Sequence, residues 1–156
     1  MSDWTASERR IKTPYGFIYY GGPCRDRYPN FRRYDPEGTG LTVTLQGPAL
    51  RALKAAQVRY AKRTGWTKAR LDKHPEGRVI TLLAGTNRAC STQAALYRSD
   101  PNRYADPKYT GHCRGLALDV SQAQPNLKII YSCLALEGWK RARSDEPWHH
   151  SFHVSI

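Results

Sequence analysis

The feature that most constrains the fold is a helical period that begins at Gln46. Pro48 suits a first helical turn, and Ala49, Ala52, Leu53, Ala56 and Tyr60 then recur on one face until Gly65. The spacing predicts a helix over 48–63 with one apolar face to bury. A chain of 156 residues, 40% apolar, can supply one core for that face and is too short for two full-sized ones.

Shorter elements follow. Val79 to Ala84 is an apolar run ending at Gly85 and reads as a buried strand. Ser91 to Arg98 reads as a second helix, and Asp100 to Thr110 as a loop. Gly115 to Val120 reads as a strand with Asp119 on the face opposite Leu118. Leu127, Ile130, Tyr131 and Leu134 repeat at helical spacing up to a stop at Gly138, and short strands are expected near Trp139–Arg143 and His150–Ile156. The order implies an α+β fold, a small antiparallel sheet flanked by helices. Residues 1–40 carry five tyrosines broken by Pro14, Pro23, Pro29 and Pro36. They read as an irregular N-terminal arm or lid, with a short strand at Phe17–Tyr20, belonging to the same domain as 41–156.

Several classes are disfavoured. No run approaches the ~18 to 20 apolar residues of a membrane span, and Met1 to Lys12 lacks the apolar core of a signal peptide. Cys24, Cys90, Cys113 and Cys133 form no CxxC pair, which argues against a structural zinc knuckle. Four free thiols are expected, since a domain of this size does not depend on bridges. The net charge is +12, and Arg51 to Arg78 holds nine Lys or Arg against Asp72 and Glu76. Such a surface attracts polyanions, cell-wall polymers included, or is simply a solvated helix face.

The histidines are unevenly placed. His74 and His112 stand alone, whereas His149, His150 and His153 fall within five positions, with Glu146 three residues before His149. A catalytic zinc site needs three ligands of His, Asp or Glu type, an open position, and a nearby carboxylate as base. The segment Thr110-Gly-His112-Cys-Arg-Gly115-Leu-Ala117-Leu-Asp119 can bring a loop histidine and a strand aspartate to one ion. Asp119 in an apolar strand is costly to bury unless a partner or cation compensates it.

These residues carry a resemblance. The segment 110–119 is similar to the SxHxxGxAxD signature of the D-alanyl-D-alanine carboxypeptidase and L-alanyl-D-glutamate peptidase family, zinc peptidases that include VanY-like enzymes and phage endolysins. Glu146-Pro-Trp-His149 resembles that family's ExWH motif, and Gly85-Thr-Asn-Arg88-Ala-Cys-Ser91-Thr-Gln93 resembles its GYRSxxxQ segment. Thr110 replaces the usual Ser, and Thr86-Asn87 and Ala89 depart from the third pattern. The resemblance implies a hedgehog/DD-peptidase type of fold and Zn2+ on His112, Asp119 and His149. It further implies Glu146 as catalytic base, Arg88 on a substrate carboxylate or the developing oxyanion, and substrate contacts from Gln93 and Thr110.

Taken singly, His112 reads as a structural histidine and Glu146 as a surface charge; the set changes both readings. His150 and His153 are expected to be bystanders on opposite strand faces, with His153 the second choice for a substrate contact. Cys113 should point away from the metal, and His74 reads as a loop residue. The implied function is a zinc metallopeptidase cutting peptidoglycan stem peptides or cross-links, a phage lysin or virion-associated wall hydrolase. It would be a monomer outside a virion, acting from the host cytoplasm on the cell wall without a membrane partner. The alternatives are a non-catalytic zinc-containing wall-binding or virion module on the same fold, and a nucleic-acid binder, the least favoured of the three.

Overall fold

The computed structural model describes residues 9–20, 28–34, 42–65, 69, 73, 80–83, 86, 88–107, 110–141 and 144–154. Cys24, His74, Gly85 and Asn87 lie outside them. Helix α1 spans Gly47–Arg63, with Pro48 in its first turn and the basic Lys62 and Arg63 in its last, where the helix dipole favours cations. Thr64 closes it by donating from Oγ1 to the Tyr60 carbonyl at 2.8 Å. Its buried stripe includes Ala49, Ala52, Leu53 and Ala56, all fully buried. Two further helices are α2, Cys90–Ser99, and α3, Leu127–Leu136. The stripe packs on α3, whose Ile130, Cys133 and Leu134 face inward.

Strands β1, Arg9–Thr13, and β2, Gly16–Tyr20, form an antiparallel hairpin in which Ile11 opposes Ile18. Strand β3, Phe31–Tyr34, pairs with β4, Val43–Gln46. The irregular arm expected over 1–40 thus holds three strands among its described residues. Gln46, fully buried, gives the reason: its side chain receives the Tyr19 N–H at 2.7 Å and donates to the carbonyls of Tyr19 and Arg114, each at 2.8 Å. One amide therefore ties the hairpin to the segment that carries His112. That long-range pairing leaves no local sequence period.

The third sheet is β5, Ala117–Asp119, β6, Trp139–Lys140, and β7, His149–Phe152, with β7 central and both pairings antiparallel. Of the strand expected over 79–84, only Ile80 to Leu83 is described, and it makes a single bridge, Leu82 to Val120. Side chains take the other bonds: Gln57 receives the Ile80 N–H and Gln124 receives that of Thr81. The strands expected at 139–143 and 150–156 are shorter than expected. His153 has a left-handed φ of 57°, which ends β7.

The architecture is α+β, with small antiparallel sheets and three helices among the described residues. Its core gathers Leu45, Leu53, Leu116, Leu118, Ile130, Leu134, Trp139 and Phe152. No described helix is long and apolar enough to cross a membrane. The expectation of four thiols is overturned at Cys90, which is disulfide-bonded. Cys113 and Cys133 are not bridged, so the partner of Cys90 lies outside the described residues. Stability of a core does not forbid a bridge that ties a helix start to a distant segment.

Candidate metal centre

The register of β5 and β7 builds most of the site. Asp119 lies directly opposite His149, and Leu118 opposite His150. Backbone bonds from Val120 to Trp148 (2.8 Å) and from Phe152 to Leu116 (2.8 Å) fix the alternation. Asp119 and His149 therefore form one of the non-hydrogen-bonded pairs, whose side chains approach most closely on one sheet face. Two residues thirty positions apart meet because of a strand register.

His112 arrives from the loop before β5. The backbone N–H groups of Arg114 and Leu116 both donate to the Gly111 carbonyl, at 3.1 and 3.0 Å, and Gly115 closes the turn at φ 64°. A Cβ on Gly115 would lie 2.9 Å from the Gln46 nitrogen and 3.0 Å from Leu45 Cα, so both conformation and space require glycine. Thr110 Oγ1 receives the His112 N–H at 3.3 Å.

The three side chains converge. His112 Nε2 lies 3.3 Å from Asp119 Oδ1, and His149 Nδ1 lies 3.5 Å from the same oxygen. The imidazole rings sit edge to face with centroids 5.0 Å apart. One ligand atom from each residue falls within 4.8 Å of the others, and all three residues are buried. Burial raises the Asp119 pKa, but the two imidazoles outweigh it and hold the carboxyl well below the usual carboxylate range. Despite those contacts, Asp119 Oδ1 has no hydrogen bond of acceptable geometry. A buried anionic oxygen with no donor fits a cation. The 3.3 and 3.5 Å separations also match the ~3.3 Å ligand edge of a tetrahedral ion with ~2.0 Å bonds.

Outer contacts orient the ligands. His112 Nδ1 meets the Thr86 carbonyl at 3.0 Å, which places its proton there and leaves Nε2 as the lone-pair nitrogen. Thr86 Oγ1 also receives the Asp119 N–H at 3.1 Å and donates toward the Asp119 carbonyl at 3.3 Å. His149 Nε2 faces Ser151 Oγ at 3.1 Å. Thr86 and Ser151 were not legible as site residues. Thr86 stands where the resembled pattern has a different residue, and Ser151 is one of many serines.

The metal group lies in a cleft of about 540 Å³ that Arg88, Gln93, Thr110, Glu146 and Trp148 also line. Gln93 is buried, with both ends of its amide engaged: Oε1 accepts from Arg88 Nη1 at 3.2 Å and Nε2 donates to the Ala105 carbonyl at 2.7 Å. His153 does not line the cleft; its ring packs against Gly138, where a Cβ would come within 2.2 Å of His153 Nε2. His150 is on the opposite sheet face beside Tyr131, ring centroids 5.1 Å apart, where burial and the nearby Arg141 and His149 charges lower its pKa to about 4. Cys113 is buried but not part of the ligand group.

What these elements define is an α+β chain with a buried His-Asp-His group able to hold a metal ion at the floor of a polar cleft. A search of solved structures finds similarity to the crystal structure of DacB from Streptococcus pneumoniae D39, at 18% identity and a TM-score of 0.48, covering 96% of this chain and 83% of that one. No protein-family model matches the chain. No curated protein matches it either.

Proposed function

We propose that the chain is a zinc peptidase of the D-alanyl-D-alanine carboxypeptidase and L-alanyl-D-glutamate peptidase family, hydrolysing amide bonds in peptidoglycan stem peptides or cross-links. The observation that carries this reading is the convergence of His112, Asp119 and His149, each from one of the two signature segments, in the same cleft as Glu146. Nitrogen and carboxylate donors at this spacing suit zinc. When bound, the ion supplies Lewis acidity that makes water nucleophilic near neutral pH and polarises the scissile carbonyl.

The remaining roles belong to the chain. Glu146 takes the proton from the attacking water as the carbon–oxygen bond forms, and delivers it to the leaving amine as the carbon–nitrogen bond breaks. Arg88 donates to a substrate carboxylate or to the oxygen that becomes negative, tasks its forked donors suit. Thr110 fixes the His112 backbone from the cleft wall. Trp148 shields the floor from bulk water. Exposed Arg51, Lys54, Lys62 and Arg63 on α1 would hold the enzyme to anionic wall polymers, in keeping with a phage lysin or virion-associated hydrolase.

Digestion of purified peptidoglycan tests the reading. The wild-type chain should release fragments whose masses identify the bond cut, a chelator should stop release, and Glu146→Ala should retain zinc without cleaving. Zinc binding with no cleavage by the wild type would instead indicate a non-catalytic module.

A further inference from the structure

Helix α2 is held in place differently from the other helices. Its one buried residue is the polar Gln93, while Leu96 and Tyr97 are only half-buried and stand outside the core. No other described element packs extensively on it, whereas α1 packs on α3 and on β2, β3 and β4. A helix of 10 residues with no apolar face to bury is marginal in water. It nevertheless sets one wall of the cleft. Gln93 Oε1 accepts from Arg88 at 3.2 Å and its Nε2 donates to the Ala105 carbonyl at 2.7 Å, so the position of Arg88 depends on where α2 begins.

The start of α2 is fixed covalently. Cys90, its first residue, is disulfide-bonded. The chain has four cysteines, and Cys113 and Cys133 are free, so elimination leaves Cys24, which lies outside the described residues. The position of Cys90 also favours reduction. It is half-buried and so within reach of another thiol, whereas Cys113 and Cys133 are 4% and 0% exposed. Ala89 at the N-cap supplies no side-chain acceptor, and the first turn of α2 holds no acidic residue. The N–H groups at that end therefore stabilise a Cys90 thiolate, which makes the bridge easier to open.

We propose that a disulfide between Cys24 and Cys90 is a redox clamp on the cleft wall. Oxidised, it fixes α2 and, through Gln93, the Arg88 guanidinium; reduced, it leaves the wall loose and the metal centre intact. The opening step is exchange with a dithiol. One thiolate of the dithiol bonds to the Cys24 sulfur and expels the Cys90 thiolate. Its second thiolate then attacks the mixed disulfide and expels Cys24, so the dithiol leaves as a disulfide and its two electrons remain on the two cysteines. The metal ligands lie on β5, β7 and the loop before β5, which do not depend on packing against α2. The effect on catalysis rests on the peptidase reading above; the clamp itself does not.

Alkylation of the unfolded chain with peptide mass mapping tests the connectivity: Cys113 and Cys133 should label before reduction, and Cys24 and Cys90 only after it. The zinc-loaded chain is then compared in three forms: oxidised, reduced by a thioredoxin-type dithiol, and as Cys24→Ser with no thiol added. In the second and third forms the α2 amides should lose hydrogen-exchange protection while those of β5 and β7 keep theirs and zinc content stays constant. The kcat/KM on peptidoglycan fragments should fall roughly 10–100-fold in both, the scale of a misplaced positioning group, and should recover on reoxidation of the wild type alone. A bridge to another cysteine or between two chains, equal α2 protection in all three forms, or loss of protection throughout the fold would overturn the clamp. Loosening of α2 with no cleavage in any form would uphold the clamp and sink the peptidase reading; equal cleavage in all three would do the reverse.

Discussion

Replacing Thr86 by Val isolates one hydroxyl beneath the metal group. Thr86 is 1% exposed, and its Oγ1 is the acceptor for the Asp119 N–H at 3.1 Å. The substitution exchanges a hydroxyl for a methyl of nearly equal size, so it opens no cavity, but it leaves a buried N–H without an acceptor. That loss costs ~1–3 kcal/mol. Taking the middle of the range and ~2–4 °C per kcal/mol for a chain of this length, the metal-free protein should melt roughly 4–8 °C lower. Zinc affinity should also fall, by about tenfold, the lower end of what loss of an outer partner causes, because the Thr86 carbonyl still holds His112 Nδ1. Calorimetric melting of chelated protein and competitive titration against a zinc dye measure the two effects, and Thr86→Ser should recover most of both. A Thr86→Val protein that matched the wild type in melting and zinc affinity would refute the reasoning that Thr86 positions Asp119.

Two further perturbations test the frame. Gly115→Ala forces a left-handed φ on a side chain, at ~1–2 kcal/mol, and pushes its Cβ into the backbone of Gln46 and Leu45, which adds ~1–3 kcal/mol of overpacking; the denaturant midpoint should drop and zinc affinity should fall with it. Glu137 binds the Tyr15 hydroxyl and Arg59; burial pushes its pKa up, but these two partners outweigh burial and lower it, while burial and Glu137 together raise Tyr15 to about 12. A carboxyl lowered in the folded state stabilises above its unfolded pKa, and the contribution disappears as pH falls through the folded value. The melting difference between wild type and Glu137→Gln should therefore be full at about pH 7 and shrink on acidification below the ordinary carboxyl range of about 4.3; a difference that grew on acidification would contradict the assignment.

The legible parts of this molecule are those written in local periodicity or in a dense motif. Helix α1 could be read from Ala49, Ala52, Leu53, Ala56 and Tyr60 because a buried face imposes its period on the residues themselves. His112, Asp119 and His149 could be read as a set because a metal demands donor types at restricted positions. The N-terminal hairpin could not. Arg9 to Thr13 has no apolar alternation, and its place is set by Gln46 reaching Tyr19 across 27 residues. Thr86 was hidden for a similar reason, since its role depends on hydrogen bonds to residues 26 and 33 positions away. His153 falls outside the cleft because the backbone turns left-handed where the sequence predicts that an extended strand continues.

Zinc titration of the chelated protein, followed by calorimetry, tests directly whether His112, Asp119 and His149 make one metal centre. One ion should bind per chain, and Asp119→Ala and His149→Ala should each abolish binding while both variants remain folded. Absence of stoichiometric binding, or an affinity left unchanged by Asp119→Ala, would contradict it.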